Sequence, residues 1–125
     1  MIENTNKIIV SFRDLKIWQC GLKIAREVYV LTKKLPKEEI FGLISQMRRA
    51  VISVSSNIAE GRSRNSRKDF AQFLHIALGS LAELETQLIL TNDIYREIKV
   101  DAILNTIHEE RKMIASIIKK LKTNS

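Results

Sequence analysis

The chain holds one proline, one cysteine and four glycines among its 125 residues. Proline breaks helices and glycine weakens their interiors by about 1 kcal/mol against alanine, so this scarcity favours long uninterrupted helices. A single Cys20 closes no intramolecular disulfide, and a lone thiol suits a reducing cytoplasm. Long hydrophobic runs are missing as well: no apolar run approaches the roughly 20 residues of a membrane span. Ile8-Ile9-Val10 is too short for the apolar segment of a secretory leader. Strand-like alternation is nearly absent; only residues 8–12 could extend. There is no internal repeat and no low-complexity tract.

Signatures of catalysis and cofactor binding are lacking too. The chain has no G-x-x-x-x-G-K, no G-x-G-x-x-G and no G-x-S-x-G, so neither a phosphate-cradling loop nor a nucleophile elbow is encoded. Helical di-iron proteins need Glu-x-x-His pairs on facing helices, and none occurs. His75, His108 and Cys20 stand far apart in sequence, which leaves no ligand set for a metal. Glu83 and Glu85 are neighbours but one, so they point to different sides of a helix and form no carboxylate pair. Trp18 falls on an apolar seam, a core position rather than a base-stacking platform. Tyr29 and Tyr95 read as surface-reaching hydroxyls. These absences predict a protein that is not an enzyme and takes no cofactor.

What is present is helical periodicity. At 125 residues the chain fits one domain. Helix 1 is predicted from about Asp14 to Lys34 on the seam Leu15, Trp18, Leu22, Ala25, Tyr29 and Thr32, with Pro36 ending the run. Helix 2 starts between Lys37 and Leu43, with the stripe Leu43, Met47, Ala50, Val51, Val54 and Ile58, and ends at Gly61 as a left-handed cap. Helix 3 opens on Ser66 and Asp69, an S-x-x-D capping pattern. Its stripe is Phe70, Phe73, Leu74, Ala77, Leu81, Leu84 and Leu88, and it gives out near Thr91-Asn92-Asp93. Helix 4 starts close to Val100 and carries Ile103, Ile107, Ile114, Ile117, Ile118 and Leu121. Four such stripes with short joints predict an all-α, up-down-up-down antiparallel four-helix bundle over residues 12–122. Residues 1–11 form a flexible N-terminal extension in this reading, and 123–125 a C-terminal tail.

Helices 2 and 3 each carry a second face. Helix 2 places Ser45, Ile52, Ser56 and Ala59 away from its core stripe, where a solvated helix carries Lys and Glu; helix 3 does the same with Gly79, Ala82 and Thr86. Small residues let another backbone approach, so these faces predict self-association. A polar line, Arg49, Ser53, Ser56 and Glu60, runs between the two faces of helix 2. Arg49 and Glu60 are about 16 Å apart along the axis, too far to pair with each other, so each looks to another helix or subunit.

Charge is +7, from 21 basic and 14 acidic residues. The excess is clustered: residues 62–68 hold Arg62, Arg64, Arg67 and Lys68 with no acid, and residues 111–122 hold Arg111, Lys112, Lys119, Lys120 and Lys122 with no acid. Cations at the start of helix 3 face the wrong end of its dipole, at a cost of a few tenths of a kcal/mol each, which suggests a compensating gain elsewhere. A solvated loop, a phosphate-binding edge and a contact with acids of a neighbouring subunit are the three readings of this joint.

The stretches FRDLKIWQ at 12–19, LPKEEIFGLISQMRRA at 35–50 and SNIAEGRSRNSRKDFAQFLHIALGSLAELETQL at 56–88 resemble the four-helix proteins encoded in intervening sequences of bacterial 23S rRNA genes. The signature falls on Arg13, Asp14, Leu15, Trp18, Gln46, Arg48, Arg49 and Ala50. It continues through Ser56, Asn57, Ile58, Ala59, Glu60 and Gly61, then Gly79, Ser80, Leu81, Glu83, Leu84 and Glu85. The resemblance implies a four-helix bundle without assigned catalytic residues. Through related accessory proteins of diversity-generating retroelements it also implies a homopentamer with a basic surface that partners a reverse transcriptase and nucleic acid. Two departures stand out: Ser55 replaces the family's proline before S-N-I-A-E-G, which weakens any kink, and Ile94-Tyr95 replaces its Gly-Tyr after helix 3.

The function expected is therefore an oligomeric, non-enzymatic basic bundle binding RNA or DNA through phosphates with little sequence readout. The alternative is an oligomeric scaffold that binds another protein. Candidate nucleic-acid residues are Arg62, Arg64, Arg67, Lys68, Arg111, Lys112, Lys119 and Lys122. Candidate contact residues between subunits or helices are Arg49, Ile52, Ser56, Ala59, Glu60, Gly79, Ala82 and Thr86. No cofactor and no membrane are expected.

Overall fold

A computed structural model describes residues 11–123. The predicted flexible extension and extended stretch lie outside the described residues as far as residue 10. Of the remainder, Ser11 accepts a hydrogen bond from the Arg13 amide at 3.1 Å and caps a 3-10 turn, Phe12–Asp14. Four helices follow: α1 (Lys16–Thr32), α2 (Leu43–Arg62), α3 (Arg67–Ile94) and α4 (Asp101–Thr123). Among the described residues there is no strand. The chain is a four-helix bundle in which α1 packs on α2 and α4, and α3 packs on α2 and α4, with the α1–α4 seam the slightest of the four.

The stripe of α2 buries as its periodicity requires; on α4 Ile103, Ile107, Ile114 and Ile118 bury, while the predicted Ile117 and Leu121 pack only partly against the core. Met47, Val51, Val54 and Ile58 are wholly enclosed on α2, and Ile107 and Ile114 nearly so on α4. On α3 the Leu74, Ala77, Leu81, Leu84 and Leu88 series is sealed, while Phe70 and Phe73 are only half-buried. α1 corrects the sequence reading. Its core row is Ile17, Gly21, Ile24, Val28 and Leu31, one step round from the predicted seam. Of that seam only Thr32 is fully buried; Leu15, Trp18 and Ala25 pack partly against the core and Tyr29 reaches solvent. Two apolar rows lie side by side on α1, and Gly21 decides between them. A Cβ there would sit 2.3 Å from the Ser55 Oγ, so only glycine lets α1 settle this closely on α2. Ser55, standing where the resemblance expects proline, donates from its hydroxyl to the Trp18 carbonyl at 3.3 Å, and α2 runs on unbroken.

Gly61 is a second correction. It is not a left-handed cap: no described residue has positive φ, and α2 continues through it to Arg62, with Ser63 as the cap. Glycine is required there by crowding. A Cβ would lie 2.6 Å from the Phe73 Cβ, so its absence allows α2 and α3 to meet at the joint. α3 then starts as predicted, the Ser66 Oγ accepting from the Asp69 amide at 3.0 Å. It runs to Ile94, past the expected stop, because the hydroxyl of Thr91 is buried and turned back onto the Gln87 carbonyl at 2.8 Å rather than breaking the helix. α3 has no uninterrupted apolar run of membrane-spanning length either, since Glu83 and Glu85 divide it. Among the described residues it is nonetheless long and apolar enough to cross a membrane by length and composition, with 33% of its most apolar window buried in the bundle. Its leucines supply the core; Ile76, Ile89, Leu90 and Ile94 remain outside.

Candidate nucleic-acid interface

Helix ends determine where the cations go. Arg67 opens α3, at the unfavourable end of that helix's dipole. Its guanidinium donates to the carbonyls of Leu121 and Lys120, each at 3.4 Å, at the C-terminus of α4. The cation that misfits one dipole thus serves another, where free carbonyls need donors. Around this contact a groove of about 420 Å³ opens between α3 and α4, lined by Arg67, Lys68, Ala71, Gln72, His75, Leu121 and Lys122. Of the predicted nucleic-acid residues it gathers Arg67, Lys68 and Lys122, adds His75, which the sequence reading set aside, and has no carboxylate on its wall.

The remaining cations divide. Arg64 pairs with Glu60 at 2.8 Å one helical turn back, and its guanidinium lies 4.9 Å from the Phe73 ring centroid. That pair is solvent-exposed and contributes at most about 1 kcal/mol. Arg62 is half-buried and engaged. Arg111 turns from the groove and pairs with Glu85 of α3. Lys112 lies on the side of α4 facing α1, in a cleft with Leu15 and Lys16. Lys119 is exposed.

The candidate contact residues also separate. Ile52, Ser56 and Ala59 line a cleft of about 280 Å³ between α1 and α2, together with Trp18, Leu22 and Ala25. Gly79 has no atom within 4 Å of where a Cβ would be, and with Ala82 and Thr86 it lies on the bare outside of α3. Arg49 is exposed, and Glu60 finds its partner locally in Arg64. Ser53, on the predicted polar line, faces α3 instead: it accepts from the Ser80 hydroxyl at 2.8 Å and from the Asn57 amide at 2.9 Å. Arg48 donates to the Thr32 hydroxyl at 3.0 Å and stacks 4.3 Å over Tyr29, tying α2 to α1. Tyr95 donates to Glu39 at 2.6 Å, and the other oxygen of Glu39 accepts from the Leu43 amide at 3.1 Å, capping α2 where Gly42 cannot. The Tyr95 hydroxyl and the Leu43 amide hold the Glu39 carboxyl below its usual range.

One buried group was not anticipated. Glu110 is 0% exposed, and neither carboxyl oxygen has a hydrogen-bond partner. Burial pushes its pKa up to about 8, and the Cys20 thiol, near enough to act on the carboxyl but outside ordinary hydrogen-bond geometry, pulls the other way. Burial, then the neighbouring Glu110, raises Cys20 to about 12, so this thiol is inert at neutral pH. The signal was the stripe itself: Ile103, Ile107, Glu110, Ile114 and Ile118 share one face. Among the described residues no group of three His, Cys, Asp or Glu side chains is placed to hold a metal.

Fold and charge define a basic four-helix bundle whose polar side chains clamp helices together and which gathers Arg67, Lys68 and Lys122 where α3 begins and α4 ends. The sequence matches the family described as 23S rRNA-intervening sequence protein over residues 13–116, and the chain belongs to that family. A solved structure from Bacteroides thetaiotaomicron, a protein of unknown function from the S23 ribosomal protein family, is similar at 30% identity with a TM-score of 0.74. The match covers 82% of this chain and 98% of that one. No curated protein matches the chain.

Proposed function

We propose that this protein is a non-enzymatic, cytoplasmic, self-associating bundle of up-down-up-down topology that binds RNA or DNA through phosphates, with little sequence readout. The observation that carries this reading is the groove between the start of α3 and the end of α4, lined by Arg67, Lys68 and His75 with Lys122 at its edge. Phosphate contacts from Lys and Arg position a nucleic acid without reading its bases. The resemblance to pentameric accessory proteins supports a homopentamer and a reverse transcriptase as protein partner. Each basic groove would then repeat around the assembly.

A second reading, a protein-binding scaffold, is favoured by a different end of the molecule. Phe41, in the α1–α2 connection, is 94% exposed, and Ile40 beside it is 48% exposed. This connection lies at the opposite end of α2 from the basic joint, about 30 Å along a 20-residue helix.

Fluorescence anisotropy with a labelled oligonucleotide from ~50 to ~200 mM salt separates the readings, since six to ten phosphate contacts lose roughly three to five orders of magnitude of affinity over that range. Saturable binding with a steep slope is expected, and replacing Arg62, Arg64, Arg67 and Lys68 together by Gln should weaken it while circular dichroism stays helical. Wild-type affinity in that variant would remove the joint from the interface; no binding at the lowest salt would leave the scaffold.

A further inference from the structure

The face between α1 and α4 carries a second basic feature. Its main cleft, about 740 Å³, is walled by Lys16, Lys23 and Arg26 of α1 and by His108 of α4, with Glu109 the one carboxylate on its wall. A cleft of about 360 Å³ continues it in one direction, sharing Lys16, Glu109 and Met113 and adding Lys112. A cleft of about 320 Å³ continues it in the other, sharing Arg26 and adding Lys34 and Lys99 against Glu27. Shared lining residues make these one trough. Lys16 and Arg26 alone are about 15 Å apart along the helix. The Arg64–Glu60 and Arg111–Glu85 ion pairs use none of these cations.

The trough has a structural cause. Gly21 draws α1 against α2, and the α1–α4 seam is left the loosest of the bundle. Apolar side chains fill its depth while the rims are cationic. A row of cations in a concave track complements a linear polyanion rather than a compact one. Gln19, Asn105 and Thr106 add neutral polar groups of the kind that meet phosphate and sugar oxygens. The main cleft has no Phe, Tyr or Trp ring for a base to stack on; His108 is its one aromatic ring. The trough follows one seam between two helices, a narrow track that suits a single strand better than a duplex.

We infer that the α1–α4 trough is a track for the phosphodiester backbone of a single-stranded nucleic acid, with Lys16, Lys23 and Arg26 meeting successive phosphates. This rests on the nucleic-acid reading above and moves the larger part of the contact from the groove where α3 begins and α4 ends to the α1–α4 seam.

The test is a salt series with labelled single-stranded RNA, single-stranded DNA and duplex DNA on wild-type protein, on Lys16→Gln/Lys23→Gln/Arg26→Gln, and on the quadruple joint variant. Each contact to a single strand contributes about 0.7 to the slope of log affinity against log salt, so the trough variant should lose about 2 from that slope. It should bind either single strand about tenfold or more weakly, while wild type prefers single strands to duplex. The three side chains are exposed, so circular dichroism should not change; Lys23→Glu alone should weaken binding in the same sense. A wild-type slope in the trough variant, with the joint variant losing its own, overturns the trough and leaves the proposed function standing. Absence of binding by wild-type protein to every probe overturns both.

Discussion

Glu110 sits among isoleucines with neither carboxyl oxygen partnered, a position where an ionised group is costly. The fold holds it protonated up to a pH of about 8, whereas an unfolded chain releases the proton near 4.5. Between those values the folded state binds a proton that the unfolded state has lost, so stability falls as pH rises, by about 1.4 kcal/mol per pH unit for this group. Below that window the loss is absent, and above it the loss is complete. Chemical denaturation of the wild type should therefore show stability decreasing from pH 5 towards pH 8 by a few kcal/mol. Glu110→Gln keeps the shape and removes the proton, so its profile should be flatter by that slope. Parallel profiles for the two proteins would mean that Glu110 escapes its burial by reaching water.

At the scale of elements, legibility followed the number of apolar rows. α2 and α4 each present one continuous row, Met47 to Ile58 and Ile103 to Ile118, and periodicity alone located their buried faces. α1 presents two, and the choice fell to Gly21, whose meaning is a distance to Ser55 that no spacing rule contains. Gly61 looked like a terminator because glycine often is one; here it is a contact residue. The basic groove was half legible: residues 62–68 announced the charge, but its division between Glu60, Phe73 and the α4 carbonyls depends on which helix ends meet. The trough was not legible, because its cations are spread over α1 and α4 and become a row only when those helices lie side by side. The crowding at Gly61 makes a direct prediction. Gly61→Ala would place a methyl 2.6 Å from the Phe73 Cβ, and backbone-borne atoms on both sides cannot rotate away. Overpacking of this kind costs about 1–3 kcal/mol, against the modest gain alanine brings to a helix interior. Thermal melting should show a clear loss; an unchanged or raised midpoint would mean that α2 and α3 part easily at this joint.

At the scale of the whole molecule, two unused surfaces and one net charge act against each other. The cleft between α1 and α2, with Trp18, Leu22, Ala25, Ile52 and Ala59, is concave and apolar, and the outside of α3 offers Ile76, Gly79 and Leu90 as a low apolar ridge. Ridge and cleft are different surfaces, so a contact between them would be heterologous, giving a ring where the rotation closes and an open filament where it does not, rather than a two-fold dimer. Charge opposes this: five copies of a +7 chain give about +35. The Debye length shrinks from roughly 30 Å at 0.01 M salt to roughly 10 Å at 0.1 M, so repulsion within a ring is strong in the first condition and largely screened in the second. Sedimentation at micromolar concentration should therefore find a multimer near physiological salt and a smaller species at low salt. Ala59→Glu introduces a carboxylate at the edge of the cleft, where Ala59 is half-buried and its neighbours are apolar. It should dissociate the assembly at physiological salt while leaving the helical signal intact. A multimer of unchanged mass in that variant would move the interface elsewhere on the bundle. A wild-type monomer at every salt concentration would mean that the apolar surfaces await a different partner.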